Sequence, residues 1–316
     1  MAKIGDFMLK MFQIEFITVL SRRYLFFLSV IFLFFLSFNI YDTYNENDYH
    51  NNWKNKVKND IKVQKYELSK KGNTDEIKKY IIENIKKNKM YLSENINPYE
   101  KNQYTFMQKN LNFLAFIPIF ILFMSSFVIF KEYKYNVIKN IKLSTTTSFQ
   151  IIISKFIAMV VLVSLFFLVT YVITFFIGII INQFTSFNYE IITQKQNIIE
   201  SKNAFVYISQ IFFSDYIVSI FLISFIFMMI SLTKSSSLSL LISISLLVLH
   251  KNISTQLSFL PWTKYLFFNT LNFRDELVQT TTFDVHSEIV ILFILTIIYI
   301  LFFLSISIAF FKKIKV

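Results

Sequence analysis

The run IAMVVLVSLFFLVTYVITFFIGIII, residues 157–181, decides how this chain must be read. It carries no charged residue, and a hydrocarbon layer about 30 Å thick needs roughly 20 apolar residues at about 1.5 Å rise per residue. The run is long enough to cross a bilayer as one helix. Working outward, five more charge-free runs follow the same logic: Tyr24 to Tyr41, Leu111 to Phe130, Tyr216 to Leu232, Ser235 to His250 and Ile289 to Phe311. Only Thr233 and Lys234 separate the fourth from the fifth, which predicts a tight turn between antiparallel helices. Composition agrees. The 316 residues are 54% hydrophobic and include 40 Phe but only three Gly and three Pro, which excludes disordered, collagen-like and ordinary soluble chains. Mean hydropathy is +0.51. The expected fold class is all-α: a polytopic membrane protein with six transmembrane helices, an N-terminal interfacial helix and a helical extracellular insertion between the first two spans. With no Cys in the sequence, a disulfide framework and thiolate chemistry are both excluded.

Charge sets the expected orientation. If residues 1–23, 131–156, 233–234 and 312–316 are cytoplasmic, they hold a net charge of +10. The short outer pieces, 182–215 and 251–288, then hold −2, and the long outer piece, 41–110, holds +4. Short cytoplasmic loops collect Lys and Arg, whereas long loops are translocated largely regardless of charge. Both termini are therefore expected in the cytoplasm. The net +12 reads as positive-inside bias and not as a nucleic-acid footprint. The heavy use of Ile, Lys, Asn and Phe is associated with AT-rich bacterial coding, which points to a bacterial cell membrane.

The segments outside the spans have their own patterns. In residues 1–23, Ile4, Phe7, Met8, Met11, Phe12, Ile14, Phe16 and Ile17 form a broad apolar stripe, expected of a helix lying in the interface. The first span, residues 24–41, lacks a small-residue cleavage pattern at Asn39-Ile40-Tyr41-Asp42 and reads as an uncleaved anchor. In the insertion, residues 42–110, Trp53, Val57, Ile61 and Leu68 make one helical face, and Ile77, Tyr80, Ile81 and Ile85 make a second. Gly72 suits the end of the first helix and Asn73-Thr74-Asp75-Glu76 the start of the next. Asn97-Pro98 signals a further helix start, with a helix expected to run on into the second span. In the loop 131–156, Val137, Ile138, Ile141 and Leu143 give a short apolar side, and Thr147 with Gln150 forms a capping box. The remaining residues, 111–316, supply five spans, this loop and the outer segment 251–288.

At that loop the chain resembles the permease subunits of type-2 ABC transporters. Their pattern has an acidic residue after the second span, a short helix, a polar turn and a lysine at the start of the third span. Glu132, the helix to Leu143, Ser144 to Ser148 and Lys155 occupy those places, while Asn136 and Phe149 depart from the usual Gly and basic residue. Leu260-Pro261-Trp262 falls where that family has short helices dipping into the outer leaflet. The resemblance implies docking of a separate ATPase subunit at Glu132, Tyr133, Asn136, Lys139, Lys142, Leu143, Thr147 and Phe149. It also implies a second permease copy, identical or not, and ATP with Mg on the partner rather than on this chain.

The residues agree with part of that expectation. Glycines stand only at 5, 72 and 178, so a phosphate-cradling loop is absent from the sequence. The six apolar runs contain no Asp, Glu, Lys or Arg, which disfavours a membrane protease or a proton-driven carrier. Asp284, His286 and Glu288 alternate before the last span and read as solvated surface sooner than as a metal site. Ser235, Ser239 and Ser243 recur every fourth residue, a pattern of close helix packing or of a polar substrate path. Thr170, Tyr171, Ser239, Ser243 and Tyr299 are the candidates for such a path. The expected function is export of an amphipathic peptide or lipid-like molecule, the antimicrobial-peptide version resting on family analogy. The alternative is a non-transporting immunity or sensor protein whose outer hairpin binds a partner.

Overall fold

The structure, a computed structural model, describes residues 10, 12–18, 23–45, 52–70, 74–114, 116–134, 147–182, 184–195, 198–257, 259–278 and 289–313. It is almost entirely helical. In chain order the helices are α1 (12–18), α2 (Arg23–Asn45), α3 (Trp53–Ser69), α4 (Asp75–Ser93), α5 (Gln103–Leu114), α6 (Ile117–Lys134), α7 (Ser148–Asn182), α8 (Ala204–Thr233), α9 (Ser236–Gln256), α10 (Phe273–Val278) and α11 (Ile289–Lys312). Among the described residues, four of these, α7, α8, α9 and α11, are long and apolar enough to cross a membrane. The protein is thus a multi-pass candidate, with α8 at its centre. Of the apolar stretch of α8, 72% is buried within the protein, against 33%, 22% and 22% for the other three. Helices α6, α7, α9, α10 and α11 all pack on it.

The second expected span is interrupted. Instead of one helix running on from Pro98, residues 98–102 form a turn, and α5 starts at Gln103 with Asn102 Oδ1 accepting from the Tyr104 and Thr105 amides, both at 3.0 Å. A second break follows at Leu114, where the Phe116 amide bonds back to the Phe113 carbonyl at 2.9 Å. Pro118 explains it: its ring clashes with the carbonyl four residues earlier, so the residue can sit only in a first helical turn. The apolar part of α6 therefore covers only Ile117–Lys131.

Helices α8 and α9 meet at Lys234, which takes the left-handed conformation at φ 53° and closes α8 through its amide on the Ile230 carbonyl, 2.8 Å away. Helix α9 has 21 residues, about 32 Å at 1.5 Å per residue, so it is longer than the run Ser235 to His250. Two 3₁₀ turns, Pro261–Tyr265 and Phe267–Asn272, and then α10 fold back against it and α8. Outside the all-α expectation stands a two-stranded antiparallel hairpin, β1 (Glu190–Lys195) with β2 (Ile198–Asn203), in register Glu190 to Asn203. Ile and Thr favour extended pairing. The hairpin leads directly into α8, whose first turn Asn203 caps through its side chain to the Val206 amide at 3.1 Å.

Helices α3 and α4 pair around a small separate core of Val57, Ile61, Ile81 and Ile85. Thr74 caps α4, accepting from the Ile77 amide, while Ile77 and Tyr80, expected on the buried face, are exposed. Gly72 lies outside the described residues, as do Ile4, Phe7, Met8 and Met11 and the triad Asp284, His286 and Glu288.

Candidate functional site

The bundle has two ends. At one, α6 leaves and α7 begins; at the other stand the two hairpins. We call these the loop end and the hairpin end.

At the loop end, Asn136, Lys139, Lys142 and Leu143 lie outside the described residues, and of Glu132 only the helical backbone is described. What flanks them is tightly held. The Tyr133 hydroxyl at the end of α6 donates to Ser231 Oγ at 3.3 Å, and its ring meets Phe311 edge-on at 5.8 Å. Ser231 in turn bonds to Ser307 at 2.8 Å, so a chain of hydroxyls joins α6, α8 and α11. Ser126 and Ser236 add a buried contact between α6 and α9 at 2.6 Å. In an apolar bundle an unpaired hydroxyl is unfavourable, so these pairs favour one helix register.

Across the loop, Thr147 and Gln150 make the reciprocal capping box read from the sequence. The Thr147 amide donates to Gln150 Oε1 at 2.9 Å and the Gln150 amide to Thr147 Oγ1 at 3.3 Å. Phe149, on the first turn, is exposed. Two turns on, Lys155 is buried and donates to Glu15 Oε1 of α1 at 2.6 Å. A buried ammonium without a carboxylate is strongly unfavourable, so this pair locks α1 to the start of α7. Ile14 and Ile17 on α1 stay exposed.

The five path candidates are not gathered at one place by any contact between them. Thr170 is buried in α7 with its hydroxyl unpartnered. Tyr171 bonds Ser209 at 2.9 Å and sets its ring edge-on to Phe212 at 5.0 Å. Ser239 pairs with Thr233 at 2.7 Å next to the α8–α9 turn, and Ser243 is buried with no partner for Oγ. Tyr299 donates to the Tyr265 carbonyl at 2.6 Å and thereby holds the first 3₁₀ turn against α11.

One ionic group inside the bundle escaped the sequence reading. Helix α8 begins twelve residues before Tyr216, the expected start of the span, and so takes in Asp215. Its carboxylate is buried and receives Arg274 Nη1 at 3.2 Å, while Arg274 Nη2 donates to the Leu111 carbonyl at 3.3 Å. Arg274 therefore ties α10 to α8 and α5 together. Lys251 and Asp275 pair at 2.7 Å beside it, and Asn269 accepts from Ser254 at 2.6 Å. The available signal was the lone Asp preceding a long apolar run, with a lone Arg downstream.

The hairpin end is polar and partly enclosed. Gly178 of α7 lies so close to α5 that an added Cβ would sit 2.8 Å from Gln103 Cα. Gln103 spans to the α7–β1 connection, donating to the Thr185 carbonyl at 2.6 Å and accepting from its amide at 2.9 Å. Tyr104 stacks on Tyr189 at 5.9 Å. Burial and the adjacent Glu100 carboxylate push the Tyr189 phenol well above its ordinary pKa, and burial raises Tyr91 to about 12.

A family described as "Protein of unknown function (DUF2705)" matches residues 76–316. The chain belongs to that family. The matched stretch starts inside α4 and includes all four long apolar helices, the loop 131–156 and the Asp215–Arg274 pair; α1 with Glu15 precedes it. Among curated proteins none matches the chain. Among the described residues of this DUF2705 member, no group of three or more His, Asp or Glu could hold a metal ion.

Proposed function

We propose that this chain is the membrane permease subunit of an ATP-driven exporter for an amphipathic peptide or lipid-like molecule, with hydrolysis on a separate cytoplasmic ATPase. The observation that carries the reading is the anchoring of both borders of the loop 131–156. Tyr133 is bonded to Ser231 and Lys155 to Glu15, so a push on the loop is passed to α8, α11 and α1. In this reading the loop end faces the cytoplasm, α2 and the α5–α6 pair complete six spans, and both termini are inside. The net +10 of the inner pieces supports that orientation. Exposed apolar side chains on α2 and α7, among them Phe34, Phe38, Leu168 and Phe176, suit lipid or a second permease copy.

The test is co-purification with an ATPase and measurement of substrate-stimulated hydrolysis. Glu132→Ala and Lys139→Ala are expected to abolish stimulation while membrane insertion persists; normal stimulation in both variants refutes the docking role. One observation favours the immunity or sensor reading: Lys58, Lys62 and Lys65 form an exposed basic row on α3. A stable chain that never retains a nucleotide-hydrolysing partner would select that reading.

A further inference from the structure

The α3–α4 hairpin carries its charge unevenly. Its residues 53–93 hold twelve Lys against five Asp and Glu. In an antiparallel helix pair, the residue that follows a core position turns to the same side on both helices, because each step advances about 100° around the axis. Lys58 and Lys62 follow the core residues Val57 and Ile61 of α3, and Ile82 and Lys86 follow Ile81 and Ile85 of α4. Lys65 and Lys89 stand three positions beyond Lys62 and Lys86, so they share that side. The Gln64–Asn88 hydrogen bond, 3.2 Å long, sets the level of the two helices and puts Lys62 and Lys65 across from Lys86 and Lys89. All five lysines are exposed.

The opposite side is the one held to the rest of the protein. There Asp60 pairs with Lys56 at 3.2 Å and accepts the Tyr99 hydroxyl at 2.6 Å, while α4 packs on β1 and β2. The lysine side has no such compensation: among the described residues, none of Lys58, Lys62, Lys65, Lys86 and Lys89 forms a salt bridge. Of the other described carboxylates on the hairpin, Asp75 pairs with Lys78 at 3.8 Å, and Glu67 and Glu83 are engaged as well. Like charges at neighbouring helix positions repel one another and leave a positive potential over this surface.

We propose that this side docks an acidic peptide segment of a partner protein. Two ammonium groups per helix, one turn apart, match carboxylates repeated every third or fourth position along a partner helix. Ile82 and Tyr66, 41% and 67% exposed, border the lysines and give apolar side chains of that segment a seat. Lys70 stacks on the Tyr66 ring at 5.2 Å and adds a cation to the same border. An aromatic anchor beside charged groups is a common composition of a protein-binding surface. A bilayer surface asks for a continuous apolar stripe beside the cations, which this side lacks, and a small anion finds no enclosure on it. Each exposed ion pair is weak alone, so affinity comes from several in register and falls as salt screens them. The inference extends the partner-binding reading of the hairpin and asks nothing of an ATPase, so the two tests fail separately.

The full-length protein is held in phosphatidylcholine nanodiscs and titrated against a fluorescein-labelled helical peptide with Glu along one face and Leu beside it, binding being read by anisotropy. The Glu peptide should bind, and the same peptide with Lys in place of Glu should not. Changing Lys62, Lys65, Lys86 and Lys89 together to Gln should weaken binding by about tenfold or more, the scale of several exposed ion pairs. Changing the same four to Arg should keep it, as should Lys234→Gln with Lys264→Gln away from the hairpin. Raising salt from about 0.05 M to about 0.5 M should weaken it several-fold, as the screening length falls below about 5 Å. Absence of Glu-peptide binding, or equal affinity in wild type and the fourfold Gln variant, overturns the proposal. Lysine-dependent binding of phosphatidylglycerol vesicles with no peptide bound overturns the peptide assignment. An unchanged melting temperature in the Gln variant shows that its loss is not unfolding; if that variant melts early, the wild-type salt series decides, and salt-insensitive binding overturns the site.

Discussion

Replacing Arg274 with alanine removes the only cation placed against the buried Asp215 carboxylate among the described residues, together with the donor to the Leu111 carbonyl. Breaking a buried ion pair from one side destabilises by about 3–5 kcal/mol, because the remaining charge keeps its desolvation penalty. The Arg274 side chain is 26% exposed and that of Asp215 9%, so water partly screens the pair and the lower end, about 3 kcal/mol, applies. Asp215→Asn should cost less, about 1–2 kcal/mol, since the arginine left behind can turn toward solvent. A double Asp215→Leu, Arg274→Met variant removes both charges at similar volume and should lie within about 1 kcal/mol of wild type. Thermal unfolding of the full chain in detergent should show Arg274→Ala melting roughly 5–10 °C early and the double variant restored. If Arg274→Ala melts with wild type, or the double variant is as unstable as the single, α10 is not held by this charge pair.

Two other outcomes follow from the hairpin end. Gly178→Ala puts a methyl 2.8 Å from Gln103 Cα and 3.0 Å from its carbonyl oxygen, where backbone cannot yield. It should cost about 1–3 kcal/mol and loosen the Gln103–Thr185 bonds, seen as faster amide exchange at Thr185; unaltered stability and exchange would contradict the close approach. The second concerns pH. Tyr91 is held neutral with its pKa raised from 10.0 to about 12, so it contributes stability that is fully present below about pH 10. That contribution is lost as pH rises from 10 through about 12. The phenolate absorbance difference between wild type and Tyr91→Phe should titrate near 12, and a difference complete by pH 10 would refute the burial.

Legibility followed the range of the interaction. Four of the six apolar runs, the Thr233-Lys234 turn, the Thr74 cap and the Thr147–Gln150 box depend on residues within a few positions of one another, and these stand in the structure. Pro118 also acts locally, and the break it imposes at Leu114 could have been read. The β1–β2 hairpin was harder, because its Ile- and Thr-rich strands lie in a stretch of mixed polarity without an apolar period. The candidate coupling residues from Asn136 to Leu143 are legible only as a pattern.

Sequence by itself determined which segments are long and apolar enough to cross a membrane, since hydropathy and length act segment by segment and no distant residue can alter them. Tertiary structure alone decided which polar groups inside that apolar frame find partners. Lys155 meets Glu15 across 140 positions, and Arg274 meets Asp215 across 59. In a medium that offers no water, a buried charge must be matched by whatever the packing brings to it, and that match is a property of three-dimensional neighbours rather than of spacing.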